Sequence, residues 1–223
     1  MEPLVLSIET CTLAGSLALS RGDALLGASR SDAETSHSNT LLREIDRLLS
    51  TTQTQLRDVD LFAVAVGPGS FTGLRIGVAT VKALAATLNK PTVGISTLEA
   101  IALAAGKSDA TVALLPAGRG EVFVQMFSVD EKKLVTALDG PAHLTPERML
   151  ERYQSKGDLL WAGPGALAQQ EVIEEGWNLA PQCENLAIYC GELALQKYRI
   201  GQVEQAHELR AIYVRPSDAE LKK

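Results

Sequence analysis

A chain of 223 residues, 46% hydrophobic and 22% charged, is long enough for one large domain or two small ones with proper cores. Its formal net charge of −6 excludes a broad cationic footprint for nucleic acid, because phosphate binding relies on clustered Lys and Arg. Cys11, Cys183 and Cys190 form no CxxC pair, which excludes a disulfide framework and reads as small buried residues in a reducing compartment.

The apolar run in "MEPLVLSIETCT" is too short for a signal peptide. No run approaches the roughly 18–20 apolar residues of a membrane span, so the expectation is a soluble, cytoplasmic protein with no membrane partner. "PLVLSIET" (3–10) reads as a strand, and "GSLALSRGDALLGASR" (15–30) as a hairpin turning at Arg21-Gly22-Asp23. Leu41, Leu42, Ile45, Leu48 and Leu49 form one stripe of a helix that Thr35, Ser36 or Ser38 can cap. The continuous apolar run Leu61–Val66 predicts a strand covered on both faces. A helix over 72–88, bounded by Pro91, then a strand at 92–96 and a helix at 97–105 complete the order β-β-β-α-β-α-β-α. "GKSD" (106–109) marks the expected boundary, giving domains 1–106 and 107–223. In the second, strands are expected at 110–117, 120–129 and 133–138, a helix at 145–154 begun by Thr145-Pro146, a strand at "DLLWAG", and a helix at 185–198. The C-terminal "AIYVRPSDAELKK" is expected to pack back on the first domain or to engage a partner.

The segment "GPGSFTGLRIG" (67–77) lies between a buried strand and a helix, a place where backbone N–H groups often meet phosphate. It lacks the lysine of GxxxxGK[ST] and the spacing of GxGxxG. Gly67–Gly69 therefore reads first as a tight turn, while Gly73 and Gly77 share one helical face open to close packing. Leu74, Ile76, Val78, Val81, Leu84, Ala85 and Leu88 make that helix apolar around most of its girth, with Arg75, Lys82 and Asn89 as its narrow polar stripe. Such a helix needs a second cover beyond its own sheet, and a partner protein is one solution. "IETCT" (8–12) ends the first strand with an acid and hydroxyls able to surround phosphate oxygens or to position a metal ion. His37, His143 and His207 lie far apart without a ligand spacing, and no GxSxG elbow is present. No catalytic or metal-binding residue is assigned.

"LSIETCT", "GPGSFTGLRIGVATVKALA", "ISTLEAIA", "GRGEVFVQMF" and "IYVRP", in this order and spacing, resemble the bacterial TsaB family. The resemblance covers essentially the whole chain. It implies an actin-like (ASKHA) α/β fold of two βββαβα-type domains, their mixed sheets flanked by helices. It also implies a non-catalytic subunit that binds TsaD and acts with the ATPase TsaE in threonylcarbamoyl transfer to adenosine 37 of tRNAs reading codons that begin with A. ATP and a metal ion are then expected on partner subunits, none bound tightly here, with tRNA held through the complex and a homodimer forming without TsaD. The expected partner-binding residues are Leu41, Leu42, Ile45 and Leu49 of the first helix, with Gly73, Arg75, Gly77, Ala79, Lys82 and Ala86 of the second. Glu9, Thr10, Gly67 and Gly69 are the candidate vestigial nucleotide site, although "ETCT" stands where the family more commonly has Asp and Ser. The alternative is a small ATP-dependent phosphotransferase or acyltransferase of the same fold, with Glu9 near Mg²⁺.

Overall fold

The computed structural model describes residues 2–31, 37–170, 173 and 178–214. Its contacts divide the chain into two compact units: residues up to Thr97 together with Glu184–Ile212, and a second unit built on Leu98–Cys183. This differs from the expected cut at 106/107, because a late helix returns to the first sheet. The side chains expected to cap the first helix, Thr35, Ser36 or Ser38, and the Arg215-Pro216 step lie outside the described residues.

The first unit holds β1 (Leu4–Glu9), β2 (Ser16–Arg21), β3 (Ala24–Arg30), α1 (His37–Thr51), β4 (Leu61–Ala65), α2 (Phe71–Leu88) and β5 (Thr92–Ile95). Its sheet runs β3-β2-β1-β4-β5, antiparallel across the opening hairpins and parallel from β1 to β5. β1 and β4 are buried at every position, as a strand covered on both faces requires. Register assigns the covers. Ile8 pairs with Val64, whose side chain meets Gly77 of α2, and Leu6 pairs through Leu19 to Gly27, which lies under Leu48 of α1. Side chains two apart along a strand share a face, so α1 and α2 cover the same one. Ser7 points the other way and meets Gly191 of the returning helix.

The second unit continues through α3 (Thr97–Ala105), β6 (Ser108–Gly118), β7 (Glu121–Val129), β8 (Val135–Ala137), β9 (Ala142–Leu144), α4 (Pro146–Tyr153), β10 (Leu160–Ala162), α5 (Pro164–Ala168) and β11 (Asn178–Leu179). The order β11-β10-β6-β7-β8, with β9 also on β7, repeats the first sheet strand for strand. The strand expected at 133–138 is present as β8, and a further short strand, β9, follows it beyond Gly140-Pro141. Thr145 caps α4 through the Arg148 N–H, and Pro146 occupies its first turn.

α6 (Leu186–Arg199) belongs to the first unit. Asn185 caps it by accepting from the Ile188 N–H at 3.3 Å, while its side-chain amide donates to the Leu17 and Ser29 carbonyls at 3.2 and 2.9 Å. The Ala187 N–H donates to Ser16 Oγ at 3.0 Å. Beyond α6 the chain seals the β5 edge: Thr92 and Glu204 exchange two 2.8 Å backbone hydrogen bonds, and the Ile212 N–H reaches the Val66 carbonyl at 2.7 Å. Leu209 is buried over Gly94 between these two attachments. Leu209→Ala would therefore leave a cavity at the one apolar anchor of this strap and lower stability by about 3 kcal/mol. A fall in the urea midpoint at unchanged slope checks it.

Candidate functional site

The ends of β1 and β4 meet the start of α2. Glu9, 1% exposed, accepts hydrogen bonds from the Thr12 N–H and hydroxyl, both at 2.7 Å, and from Ser16 Oγ at 3.4 Å. Thr10 Oγ1 donates to the Gly73 carbonyl at 2.7 Å, and the Ser70 N–H donates to the Cys11 carbonyl at 2.8 Å. Ser70 caps α2 through the Gly73 N–H, and Asn89 closes it in the left-handed conformation at φ 52°. Gly67 sits at φ +106°, its carbonyl accepting from the Thr97 N–H at 2.9 Å and its Cα facing the Ile212 carbonyl. A Cβ on Gly69 would fall 2.6 Å from the Cys11 carbonyl oxygen. Glu9, Thr10, Gly67 and Gly69 are thus brought together. The N–H groups of Ser70 and Gly73, which would face a phosphate at this helix start, already bond within the chain.

The same contacts correct the reading of Gly73 and Gly77. A Cβ on Gly73 would overlap the Thr10 carbonyl oxygen, and one on Gly77 would overlap Thr10 Oγ1. These glycines let α2 lie on β1, and both are buried in their own unit. Leu41, Ile45 and Leu49 of α1 are likewise buried, since α1 turns this stripe to β2 and β3. What reaches solvent is Leu42, 65% exposed, with Arg75, Ala79 and Ala86 exposed and Lys82 half-buried. α2 is 18 residues long with a mean hydropathy of 1.3, so by length and composition it is apolar enough to cross a membrane, which corrects the expectation that no run is. Only a third of it is buried, however, and two cations interrupt it. Phe71 escaped the sequence reading although its i, i+4 spacing to Arg75 is a visible signal: the guanidinium carbon lies 3.9 Å from the ring centroid. Leu13, 82% exposed at the tip after β1, was missed as well and carries no periodic signal.

His37 begins α1, His143 Nε2 lies 2.9 Å from Glu121 Oε2, and the described residues include no His/Cys/Asp/Glu group suited to a metal ion. Cys11 and Cys190 are buried as expected, whereas Cys183 is exposed. Burial, reinforced by the nearby Glu9 charge, pushes the Cys11 thiol up from 9.0 to about 12. Below pH 9 the thiol is neutral in both states. Between 9 and 12 the unfolded chain loses a proton that the folded chain keeps, so this group's contribution falls as pH rises.

Two measurements follow from this geometry. Gly73→Ala would destabilise the protein by about 2–3 kcal/mol through overpacking, although alanine favours an exposed helix interior by about 1 kcal/mol; thermal denaturation reads the sign. A thiol reagent would label Cys183 in the native protein and Cys11 only on unfolding, and the decline in urea midpoint above pH 9 would be shallower in Cys11→Ala.

With this geometry in place, the likeness to known proteins is specific. Residues 27–209 match the family described as "TsaD: tRNA N6-adenosine threonylcarbamoyltransferase". The Escherichia coli K12 protein named tRNA threonylcarbamoyladenosine biosynthesis protein TsaB is 31% identical over 95% of this chain and 94% of its own. The solved structure of YeaZ from Pseudomonas aeruginosa superposes with a TM-score of 0.83 at 25% identity, covering 95% of this chain and 99% of that one. Component A of the Acidaminococcus fermentans (R)-2-hydroxyglutaryl-CoA dehydratase matches at a TM-score of 0.56 and 12% identity, over 88% of this chain and 99% of that one. That distant likeness concerns the fold alone, which is the actin-like ASKHA class. Within the domain family that TsaD typifies, this chain belongs to the TsaB proteins of tRNA threonylcarbamoyladenosine biosynthesis.

Proposed function

We propose that this chain is the non-catalytic subunit of a tRNA threonylcarbamoyltransferase complex. It binds a TsaD-type catalytic subunit and acts with a TsaE-type ATPase in transfer to adenosine 37 of tRNAs reading codons that begin with A. One observation carries the reading: α2 is apolar at a mean hydropathy of 1.3, yet two thirds of it lies outside the core of the chain. Uncovered apolar surface on a helix rimmed by charge marks a protein interface. Leu42, Arg75, Ala79, Lys82 and Ala86 form that face, while Leu41, Ile45, Leu49, Gly73 and Gly77 support it from beneath. The strand-end turn favours the same division of labour, because its Ser70 and Gly73 N–H groups are used internally and leave nucleotide chemistry to partner subunits. ATP and a metal ion sit on those partners, tRNA is held through the complex, and the same helical face pairs with itself when the catalytic subunit is absent. The setting is the cytoplasm.

A standard interface buries on the order of 1,600 Å², and a charge at its centre costs about 2 kcal/mol or more. Ala79→Glu, at an exposed position, would keep the circular dichroism and melting temperature of the parent and lose binding to the catalytic subunit by calorimetry. Threonylcarbamoylation of tRNA, reconstituted from TsaD, TsaE and threonylcarbamoyl-AMP, would depend on this chain and would not occur with this chain alone. ATP turnover by the isolated protein, lost in Glu9→Ala, would favour the phosphotransferase or acyltransferase reading instead.

A further inference from the structure

We infer that the exposed face of α2 selects its partner by charge: it fits a helix bearing carboxylates better than it fits a second copy of this chain, so self-pairing through it gives way when the catalytic subunit is present. The inference rests on the interface reading above and adds the chemistry of the surface that α2 meets. Phe71–Leu88 contains no Asp or Glu and two cations, Arg75 and Lys82. α1 is balanced, Arg43 and Arg47 against Glu44 and Asp46. The helical surface therefore carries a net charge of +2 in a chain whose total is −6.

Arg75, Ala79, Lys82 and Ala86 are spaced by four, three and four residues. At 3.6 residues per turn they fall within an arc of about 60°, with the two cations about 10 Å apart along the axis. That spacing is the seam of a helix packing at a shallow angle on another helix, small residues letting the axes approach between the two charges. Among the described residues neither cation has a carboxylate partner. Arg75 rests on a ring instead, its guanidinium carbon 3.9 Å from the Phe71 centroid. A stacked guanidinium keeps its hydrogen-bonding edge available and loses less freedom when a carboxylate arrives. In a symmetric self-pair the same patch meets itself, so two surfaces of charge +2 oppose each other. Like charges placed across an interface suppress the wrong partner more than they weaken the right one. The partner face thus carries Asp or Glu about two helical turns apart, with small side chains between them.

The test measures affinity for the cognate threonylcarbamoyltransferase subunit by calorimetry, and self-association by sedimentation, at about 50 and about 500 mM NaCl, across which screening becomes nearly complete. The parent would lose about tenfold in affinity for the subunit as salt rises, while its self-association would strengthen. Arg75→Gln with Lys82→Gln would bind the subunit about tenfold more weakly at low salt, lose most of the salt dependence, and self-associate more readily. Gln is a good helix former, and melting temperature checks that the fold survives. An unchanged salt dependence in the double variant would overturn the inference. So would binding of tRNA alone to the parent and not to the double variant, with subunit binding unaltered, since the cations would then serve phosphate. If Ala79→Glu abolishes subunit binding while the double variant binds like the parent, the face is right and its charge selectivity is wrong. If Ala79→Glu also binds like the parent, the face itself is misassigned.

Discussion

Between Gly73 and the carbonyl oxygen of Thr10 there is no room for a side-chain carbon, and the same holds one turn later between Gly77 and the Thr10 hydroxyl. This close approach fixes both where α2 begins and how it is rotated. Thr10 Oγ1 holds the Gly73 carbonyl and the Cys11 carbonyl holds the Ser70 N–H, so the first turn of the helix is fastened to the end of β1 by two hydrogen bonds. Once the glycine side is turned inward, the 3.6-residue period decides the rest. Leu74, Val78, Val81 and Ala85 go to the sheet, and Arg75, Ala79 and Ala86 go to solvent. The composition of the outer face is in this sense a consequence of a backbone contact made on the inner one.

That dependence explains what could and could not be read from the sequence. The order of strands and helices in the first unit was legible, because β1 and β4 are continuous apolar runs and α1 and α2 have helical period. The glycine spacing was legible as a single helical face, yet spacing specifies an angle and not the body that the angle meets. The resemblance placed Gly73, Gly77, Leu41, Ile45 and Leu49 at the partner face, whereas Thr10 and the first sheet in fact receive them. The rest of that expectation, Leu42, Arg75, Ala79 and Ala86 with the half-buried Lys82, came with the same resemblance and reaches the surface. The return of α6 was beyond local reading for another reason. The Asn185 amide reaches Leu17 across 168 positions, and no period or turn signal encodes such a pairing. β9 and β11 are three and two residues long, too short for alternation to register.

The candidate strand-end site was legible in its residue types but not in its state. An acid, hydroxyls and glycines beside a helix start are common to turns that hold phosphate and turns that hold themselves. Only the hydrogen-bond partners distinguish them, and here Glu9 binds Thr12 and Ser16 while Cys11 occupies the space over Gly69. The Cys11 thiol lies in the same dry interior, where burial and the Glu9 charge push its pKa up.

The two sheets share one strand order; the helix that follows β4 in the first unit is 18 residues long, and the one that follows its counterpart β10 in the second is five. A five-residue helix has little more than one turn and presents no extended seam. Of the two equivalent helices, only α2 is therefore long enough to present such a seam. Under the proposed docking role of α2, pairing through one such face closes at two subunits, whereas a filament requires two complementary faces on every subunit.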